Sequence, residues 1–159
     1  MRPSPYRLKA QFQAMHELQT SVDDSGIDPR IGDLCKTRAS QLNGCVFCLA
    51  MHTEEARERG ESEARLHLLA AWREASCFSP DERAALALTE ALTVITPAGV
   101  PDEVWDDAVE QLGEDGAVKL VWLIAAINVW NRLNVAGQTP PHHWKHELRR
   151  GAPASAGGR

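Results

Sequence analysis

Two cysteines separated by two residues, Cys45 and Cys48, are the part of this sequence best suited to chemistry, and His52 follows four positions later. On an α-helix, residues three or four positions apart share a face, so these three side chains would line one side over two turns. The thiolate is the reactive form of cysteine, and a neighbouring imidazole favours it. The spacing therefore predicts a redox-active thiol pair with a base beside it.

The elements that must position this pair are helical. Apolar residues recur at helical spacing through most of the chain, and no segment alternates as a half-buried strand does. We predict an all-α fold of about seven helices over residues 6–22, 28–42, 43–60, 62–75, 79–95, 101–112 and 114–136, caps included. Asn43-Gly44 interrupts the pattern, so a helix starts at the thiol pair. Residues 1–137 are assigned to one domain and 138–159 to a flexible tail.

Composition excludes several classes of function. The 159 residues carry 17 Lys and Arg against 22 Asp and Glu, a net charge of -5, which does not suit a nucleic-acid partner. Residues 117–130 are too short and too interrupted to cross a membrane, and no secretory signal is visible, so we expect a cytoplasmic protein. The last helix is apolar on more than one face, which predicts self-association.

Other interpretations of the thiol pair stay open. A structural zinc site is less favoured, because the chain has one CxxC and no second pair downstream. Thioredoxin-type exchange would place its CxxC after a strand, and none is evident. Two inert buried cysteines are the third alternative.

Other chemically capable residues are given structural roles. Cys35 and Cys77 are interpreted as structural, because free cysteine is among the most buried residue types. Aromatic side chains at helical spacing are more often core or interface than substrate pocket, and this applies to three tryptophans, Trp72, Trp122 and Trp130. Three histidines, His142, His143 and His146, are close enough in sequence to chelate a metal, but such a polar segment is usually exposed. We therefore assign no metal site.

A longer segment carries a family resemblance. Residues 38–48, RASQLNGCVFC, followed by Met51-His52, resemble the core motif of the AhpD-like branch of the carboxymuconolactone decarboxylase family. The similarity continues at residues 71–74, 82–92 and 127–132 and spans roughly residues 10–135. It implies an all-α fold, assembly into homo-oligomers such as dimers, trimers or hexamers, and peroxidase-type activity without a cofactor.

The resemblance also implies a role for each site residue. Cys48 would attack the peroxide, Cys45 would resolve the product as a disulfide, and His52 would deprotonate Cys48. Asp33, twelve positions before Cys45, would assist through water, although the family usually has Glu there. The best-known peroxidases have histidine where this chain has Phe47, so the reductant is an unidentified dithiol or protein.

Two arguments disagree about which thiol ionises. The positive end of a helix dipole favours Cys45, whereas proximity to His52 and the resemblance favour Cys48. We expect Cys48 to attack, because a paired base also removes its proton. The predicted function is a thiol-dependent peroxidase; the alternative is a non-catalytic or redox-sensing oligomer. Carboxymuconolactone decarboxylation is a poorer match, since the decarboxylases lack the thiol pair.

Overall fold

Helices make up most of residues 2–141, the part of the chain that the computed structural model describes. The seven α-helices are α1 (Lys9–Asp23), α2 (Pro29–Leu42), α3 (Val46–Glu58), α4 (Glu63–Leu68), α5 (Pro80–Thr93), α6 (Asp102–Leu112) and α7 (Glu114–Gly137). Two 3₁₀ turns lie at Pro5–Arg7 and Leu69–Ala71. The all-α class and the seven helices are thereby confirmed for these residues.

The fourth predicted helix, 62–75, is too long. The helix stops at Leu68 and the chain passes through the 3₁₀ turn into a loop. Arg83 of α5 compensates for the lost helical bonds: its guanidinium donates to the carbonyls of Trp72 at 3.0 Å and of Ala75 at 3.1 Å. The loop is held because Trp72 is buried against a small cluster that includes Phe78.

Smaller differences lie at the other ends. The first predicted helix begins three residues late, at Lys9, because residues 5–7 form a separate 3₁₀ turn in which the Oγ of Ser4 accepts from the N–H of Tyr6. The fifth ends at Thr93 and the last at Gly137. The division of the chain into a domain and a tail stays a prediction.

The core brings α2 and α7 together at the centre. α2 packs against α3, α5 and α7, and α7 also contacts α1, α3, α5 and α6. The largest cluster includes Leu88, Leu120 and Ile124, while a smaller cluster of Ala39, Cys45, Cys48 and Ile127 surrounds the thiols. The thiol pair therefore lies inside the junction of α2, α3 and α7.

Two observations bear on whether the surface contacts a membrane or another protein. Within residues 2–141, no helix combines the length and the apolar character that crossing a membrane requires. Helix α7 nevertheless exposes several large apolar side chains, namely Val118, Trp122, Val129 and Val135.

Candidate active site

The thiol pair is positioned by a tight turn between α2 and α3. Gly44 adopts a φ of +64°, a left-handed conformation that side chains disfavour, so glycine suits this position. The turn places Cys45 at the N-cap of α3, where its Sγ accepts the backbone N–H of Cys48 at 3.3 Å. A cysteine thus occupies the position that Ser, Thr, Asp or Asn usually takes.

The Cys45 thiol is acidic in this position. Its pKa is lowered to about 7, first because the Cys48 side chain donates to its sulfur and further by the backbone N–H of Cys48, although burial opposes the shift. The exposed fraction of Cys45 is only 1%. A thiol with this pKa is substantially ionised at neutral pH.

Cys48 has the opposite tendency. Its pKa is raised above the ordinary thiol value, because its proton is held in the hydrogen bond to Cys45 and because it is buried. Donation from the side chains of Asn131 and Asn134 partly offsets these effects. The Nδ2 of Asn134 lies 3.4 Å from the Cys48 Sγ. The reduced pair therefore loses its first proton readily and keeps the second, which the two sulfurs share.

Hydrogen bonds fix the orientation of Asn131 below the thiols. Its Oδ1 accepts from Asn43 Nδ2 at 2.9 Å, and its Nδ2 donates to Ser40 Oγ at 3.1 Å. The Ser40 hydroxyl in turn donates to the Lys36 carbonyl at 2.7 Å. This ordering presents the amide N–H groups of Asn131 as donors towards the sulfurs.

His52 is buried and bound to a carboxylate. Its Nδ1 lies 2.8 Å from Oε2 of Glu55, one turn further along α3, and this hydrogen bond lowers the pKa of Glu55. A carboxylate on Nδ1 favours the tautomer with the proton on Nδ1, which leaves Nε2 as the basic nitrogen. His52 is thus held in a form that can accept a proton.

Asp33 is buried on α2 and is bound to two cations. Its Oδ2 accepts from Arg59 at 2.6 Å, and its Oδ1 lies 3.1 Å from the Nζ of Lys36. Lys36 is also 3.7 Å from Oε2 of Glu55. Asp33 therefore reaches the Glu55–His52 pair through Lys36. Its role as assistant to His52 stays a prediction.

A cavity of about 680 Å³ opens beside these residues. Cys48, His52, Glu55 and Asp33 all contribute to its lining, together with Lys36 and Arg59, whereas Cys45 does not. Most of the remaining wall is apolar or aromatic, including Tyr6, Phe12, Phe47, Met51, Leu123, Ile127 and Trp130. A cavity of this volume is in the range that holds organic ligands.

The structure thus places Cys48 and His52 in one cavity wall, with Cys45 hydrogen-bonded to Cys48 outside it, and adds three residues that the sequence reasoning missed. Glu55 could have been found, because it is three positions from His52 on a helix. Asn131 and Asn134 were signalled more weakly, as amides in an otherwise apolar helix where polar groups need a reason.

The cysteines and tryptophans that were expected to be structural differ in burial. Cys35 is fully buried, which raises its pKa to about 12, whereas Cys77 is exposed, contrary to the expected burial, because its loop lies at the surface. Trp72 is buried in the core, Trp122 is exposed and Trp130 lies in the cavity wall.

No group of three or more metal-ligating side chains occurs within residues 2–141. The three histidines considered as metal ligands, His142, His143 and His146, lie outside the described residues.

Known proteins resemble this chain over most of its length. Residues 7–91 match the model of the carboxymuconolactone decarboxylase family. The chain is 40% identical over 136 residues to the uncharacterized protein YdfG of Bacillus subtilis (strain 168), and this match covers 85% of this chain and 92% of that protein. It is 32% identical over 116 residues to the uncharacterized protein YnjA of Escherichia coli (strain K12), covering 73% of this chain and 63% of that protein.

Solved structures share the fold. ATU0492 from Agrobacterium tumefaciens, a protein of unknown function and candidate antioxidant defence protein AhpD, superposes with a TM-score of 0.84 and 34% identity, over 89% of this chain and 97% of that one. The apo debrominase Bmp8 gives a TM-score of 0.73 over 82% of this chain and 70% of that one, but its 21% identity shows the fold alone. The chain therefore belongs to the carboxymuconolactone decarboxylase family, as an AhpD-like member.

Proposed function

We propose that this protein is a thiol-dependent peroxidase that reduces organic hydroperoxides through a disulfide between Cys48 and Cys45. The observation that carries the proposal is the arrangement of the pair: Cys48 lies in the wall of the cavity, and Cys45 is hydrogen-bonded to it from behind, outside the cavity. A thiol that meets the substrate thus has a second thiol in contact, which is the arrangement that a two-cysteine redox cycle requires.

In the proposed cycle, the Cys48 thiolate attacks the terminal oxygen of the hydroperoxide. The O–O bond breaks, the alkoxide takes a proton and leaves as the alcohol, and Cys48 becomes a sulfenic acid. The Cys45 thiolate then attacks the Cys48 sulfur, so that an S–S bond forms and hydroxide leaves as water after protonation. An external dithiol supplies two electrons and two protons to restore both thiols.

The raised pKa of Cys48 means that a base must generate its thiolate. The place of Cys48 in the cavity wall, rather than its acidity, assigns it as the attacking thiol, and His52 removes its proton when the substrate is bound. Cys45, with a pKa of about 7 in the reduced pair, is partly ionised before the cycle begins. Glu55 holds the His52 ring and stabilises the imidazolium that results.

The cavity supports an organic substrate in preference to hydrogen peroxide. Its volume of about 680 Å³ is larger than a molecule of hydrogen peroxide can fill. Its wall is largely apolar, which suits an organic body better than a small polar molecule. Binding energy from an apolar body would hold the peroxide oxygens near Cys48, which raises kcat/KM for the larger substrate.

The test is peroxide consumption by the full chain with a dithiol reductant, using hydrogen peroxide and cumene hydroperoxide. Cys48→Ser should reduce turnover by more than about 100-fold and His52→Ala by about 100-fold, because a positioned base contributes about that much. Cys77→Ser is the matched control, since Cys77 is exposed and outside the cavity wall. Equal rates in all four proteins would exclude the enzyme. Disulfide formation without turnover would support a redox sensor instead.

We also propose that a second copy of the chain covers the exposed apolar face of α7. Val118, Trp122 and Val129 recur at helical spacing on this face, and exposed apolar patches commonly mark contacts between subunits. Light scattering should find an oligomer that Trp122→Glu dissociates, whereas Trp105→Glu, an exposed tryptophan on α6, should leave it intact. A monomeric wild type would refute this contact.

A further inference from the structure

The first residues of the described chain reach the thiol pair. The Tyr6 hydroxyl donates to Oδ1 of Asn134 at 2.7 Å, a contact between residues 128 positions apart. Because its oxygen is occupied in this way, the Asn134 amide presents Nδ2 to the Cys48 sulfur at 3.4 Å. The same Nδ2 also donates to the Trp130 carbonyl at 3.0 Å. Tyr6 and the Trp130 carbonyl thus specify the same orientation of the amide.

The turn that carries Tyr6 is held against the end of α7. Arg2 Nη1 lies 3.4 Å from the Ala136 carbonyl. Gly137 allows Pro5 to approach so closely that a Cβ added to this glycine would lie 2.9 Å from the Pro5 ring. A side chain at this position therefore forces the turn to move, because a proline ring cannot rotate away as a flexible side chain can.

The Tyr6 ring also belongs to the cavity wall. Its centroid lies 5.1 Å from that of Phe12 in an edge-on arrangement and 6.4 Å from that of Trp130. Burial, followed by the nearby Cys48 and Cys45 thiols, raises the pKa of Tyr6 to about 12, so the hydroxyl keeps its proton and remains a donor at neutral pH. The hydroxyl can therefore fix the amide throughout the pH range in which Cys45 titrates.

From these contacts we infer that Tyr6 is a positioning residue of the active site, which orients Asn134 to donate a hydrogen bond to the Cys48 sulfur. The donor stabilises the thiolate that forms when Cys48 loses its proton. The inference deepens the proposed function, on which its catalytic meaning rests. Both partners lie outside residues 7–91, the segment that matches the family model.

The experiment measures the acidity of Cys48 directly. In the full chain carrying Cys45→Ser and Cys77→Ser, Cys48 is the remaining thiol in the cavity, and its iodoacetamide labelling is followed against pH by mass spectrometry of the Cys48 peptide. Tyr6→Phe removes the hydroxyl and keeps the ring. Gly137→Ala displaces the turn without touching a sulfur, and Gly116→Ala is the matched control, a second glycine in α7 whose added Cβ meets the side chain of Leu112.

Tyr6→Phe should raise the labelling midpoint by up to about 0.7 pH unit, or about five-fold less thiolate at neutral pH, which is the typical effect of losing one whole hydrogen bond. The Trp130 carbonyl still favours the same amide orientation and sets this value as the upper bound. Gly137→Ala should shift the midpoint in the same direction, and Gly116→Ala should not. An unchanged midpoint in Tyr6→Phe, even with a lower melting temperature, would overturn the inference, because Tyr6 would then be structural. A shifted midpoint, together with a wild-type chain that consumes no peroxide, would support the inference while refuting the proposed function.

Discussion

Helices α2 and α3 each carry a buried thiol to the centre of the molecule, and the two thiols differ in acidity. Cys35, in the middle of α2, has a pKa raised to about 12 by burial. Cys45, at the start of α3, is almost equally buried, yet its pKa is lowered to about 7. Burial is the largest influence on the pKa of Cys35, which lies deeper in the core, whereas the Cys48 donor is the largest influence on the pKa of Cys45. Depth and the donors at the N-terminus of α3 together make the difference.

The carboxylates of the two helices differ in a parallel way. Asp33 of α2 is bound to Arg59 and Lys36, whereas Glu55 of α3 is bound to His52. Helix α2 thus supplies a thiol and a carboxylate that burial and ion pairs hold in place. Helix α3 supplies a thiol and a carboxylate whose hydrogen-bond partners alter their acidity.

The largest difference should appear in the number of thiolates. With the exposed thiol removed by Cys77→Ser, absorbance at 240 nm at pH 8 should report about one thiolate, because a pKa of about 7 leaves about nine-tenths of Cys45 ionised. Cys35→Ala should not change this signal, and Cys45→Ala combined with Cys48→Ala should abolish it. Loss of the absorbance at 240 nm in Cys35→Ala would show that Cys35, and not Cys45, is the ionised thiol.

The second prediction concerns the donor to Cys45. Cys48→Ala removes the S–H group that donates to the Cys45 sulfur, so the midpoint of the Cys45 titration should rise by about one pH unit, a ten-fold change in thiolate. Cys48→Ser keeps a hydroxyl donor and should give a smaller rise. A wild-type midpoint in both variants would show that the helix N-terminus alone sets the acidity.

Turnover should separate the two carboxylates. Glu55→Gln should reduce kcat/KM for cumene hydroperoxide by about ten-fold, because loss of a partner that orients a histidine typically costs that much. Asp33→Asn should have a smaller effect, since Asp33 reaches the histidine only through Lys36. A larger loss in Asp33→Asn would favour the relay that the family resemblance implies.

Stability should separate them in the opposite order. Asp33→Asn removes a buried charge that holds two cations and should lower the free energy of unfolding by about 2 kcal/mol. Glu55→Gln should lower it by less than about 1 kcal/mol, since the side chain is 35% exposed and its ion pair is screened. Urea titration of both variants and the wild type gives both values.

The loss of stability in Glu55→Gln should depend on pH. The pKa of Glu55 is lowered in the folded protein, so its contribution is present above the unfolded value and is lost as pH falls through the folded value. The difference in melting temperature between wild type and Glu55→Gln should therefore be present at pH 6 and shrink progressively as the pH falls below 4.5, the ordinary value for this carboxyl. A constant difference would mean that the charge of Glu55 does not contribute.

The sequence was sufficient for the local features of the site. Helical periodicity predicted the fold class, and Asn43-Gly44 predicted the break before Cys45, because both signals lie within a few residues of what they determine. His52 followed from spacing along one helix. The position of α3 relative to its neighbours carried no comparable signal.

Contacts across the chain account for most of what could not be predicted. The assistance of Asp33 to His52 through water stays a prediction, and the ion pair of Asp33 with Arg59 has no sequence signal because it depends on how the end of α3 packs on α2. Tyr6 has no local signal at all, since its partner is on the last helix. The order of acidity is the reverse of the one predicted from the sequence: proximity to His52 favoured ionisation of Cys48, whereas the pKa of Cys45 is lowered and that of Cys48 is raised. The helix-dipole argument pointed to Cys45, and the Cys48 donor is visible only in three dimensions.

The separation along the chain between the thiols and their amide donors imposes an order of events during synthesis. Asn134 follows Cys48 by 86 residues. At about 5–20 residues per second, the ribosome makes the cysteines roughly 4–17 seconds before this asparagine. A nascent chain therefore carries Cys48 before its Asn134 donor exists, and an oxidant that meets the chain at this stage encounters a thiol pair that the last helix does not yet cover.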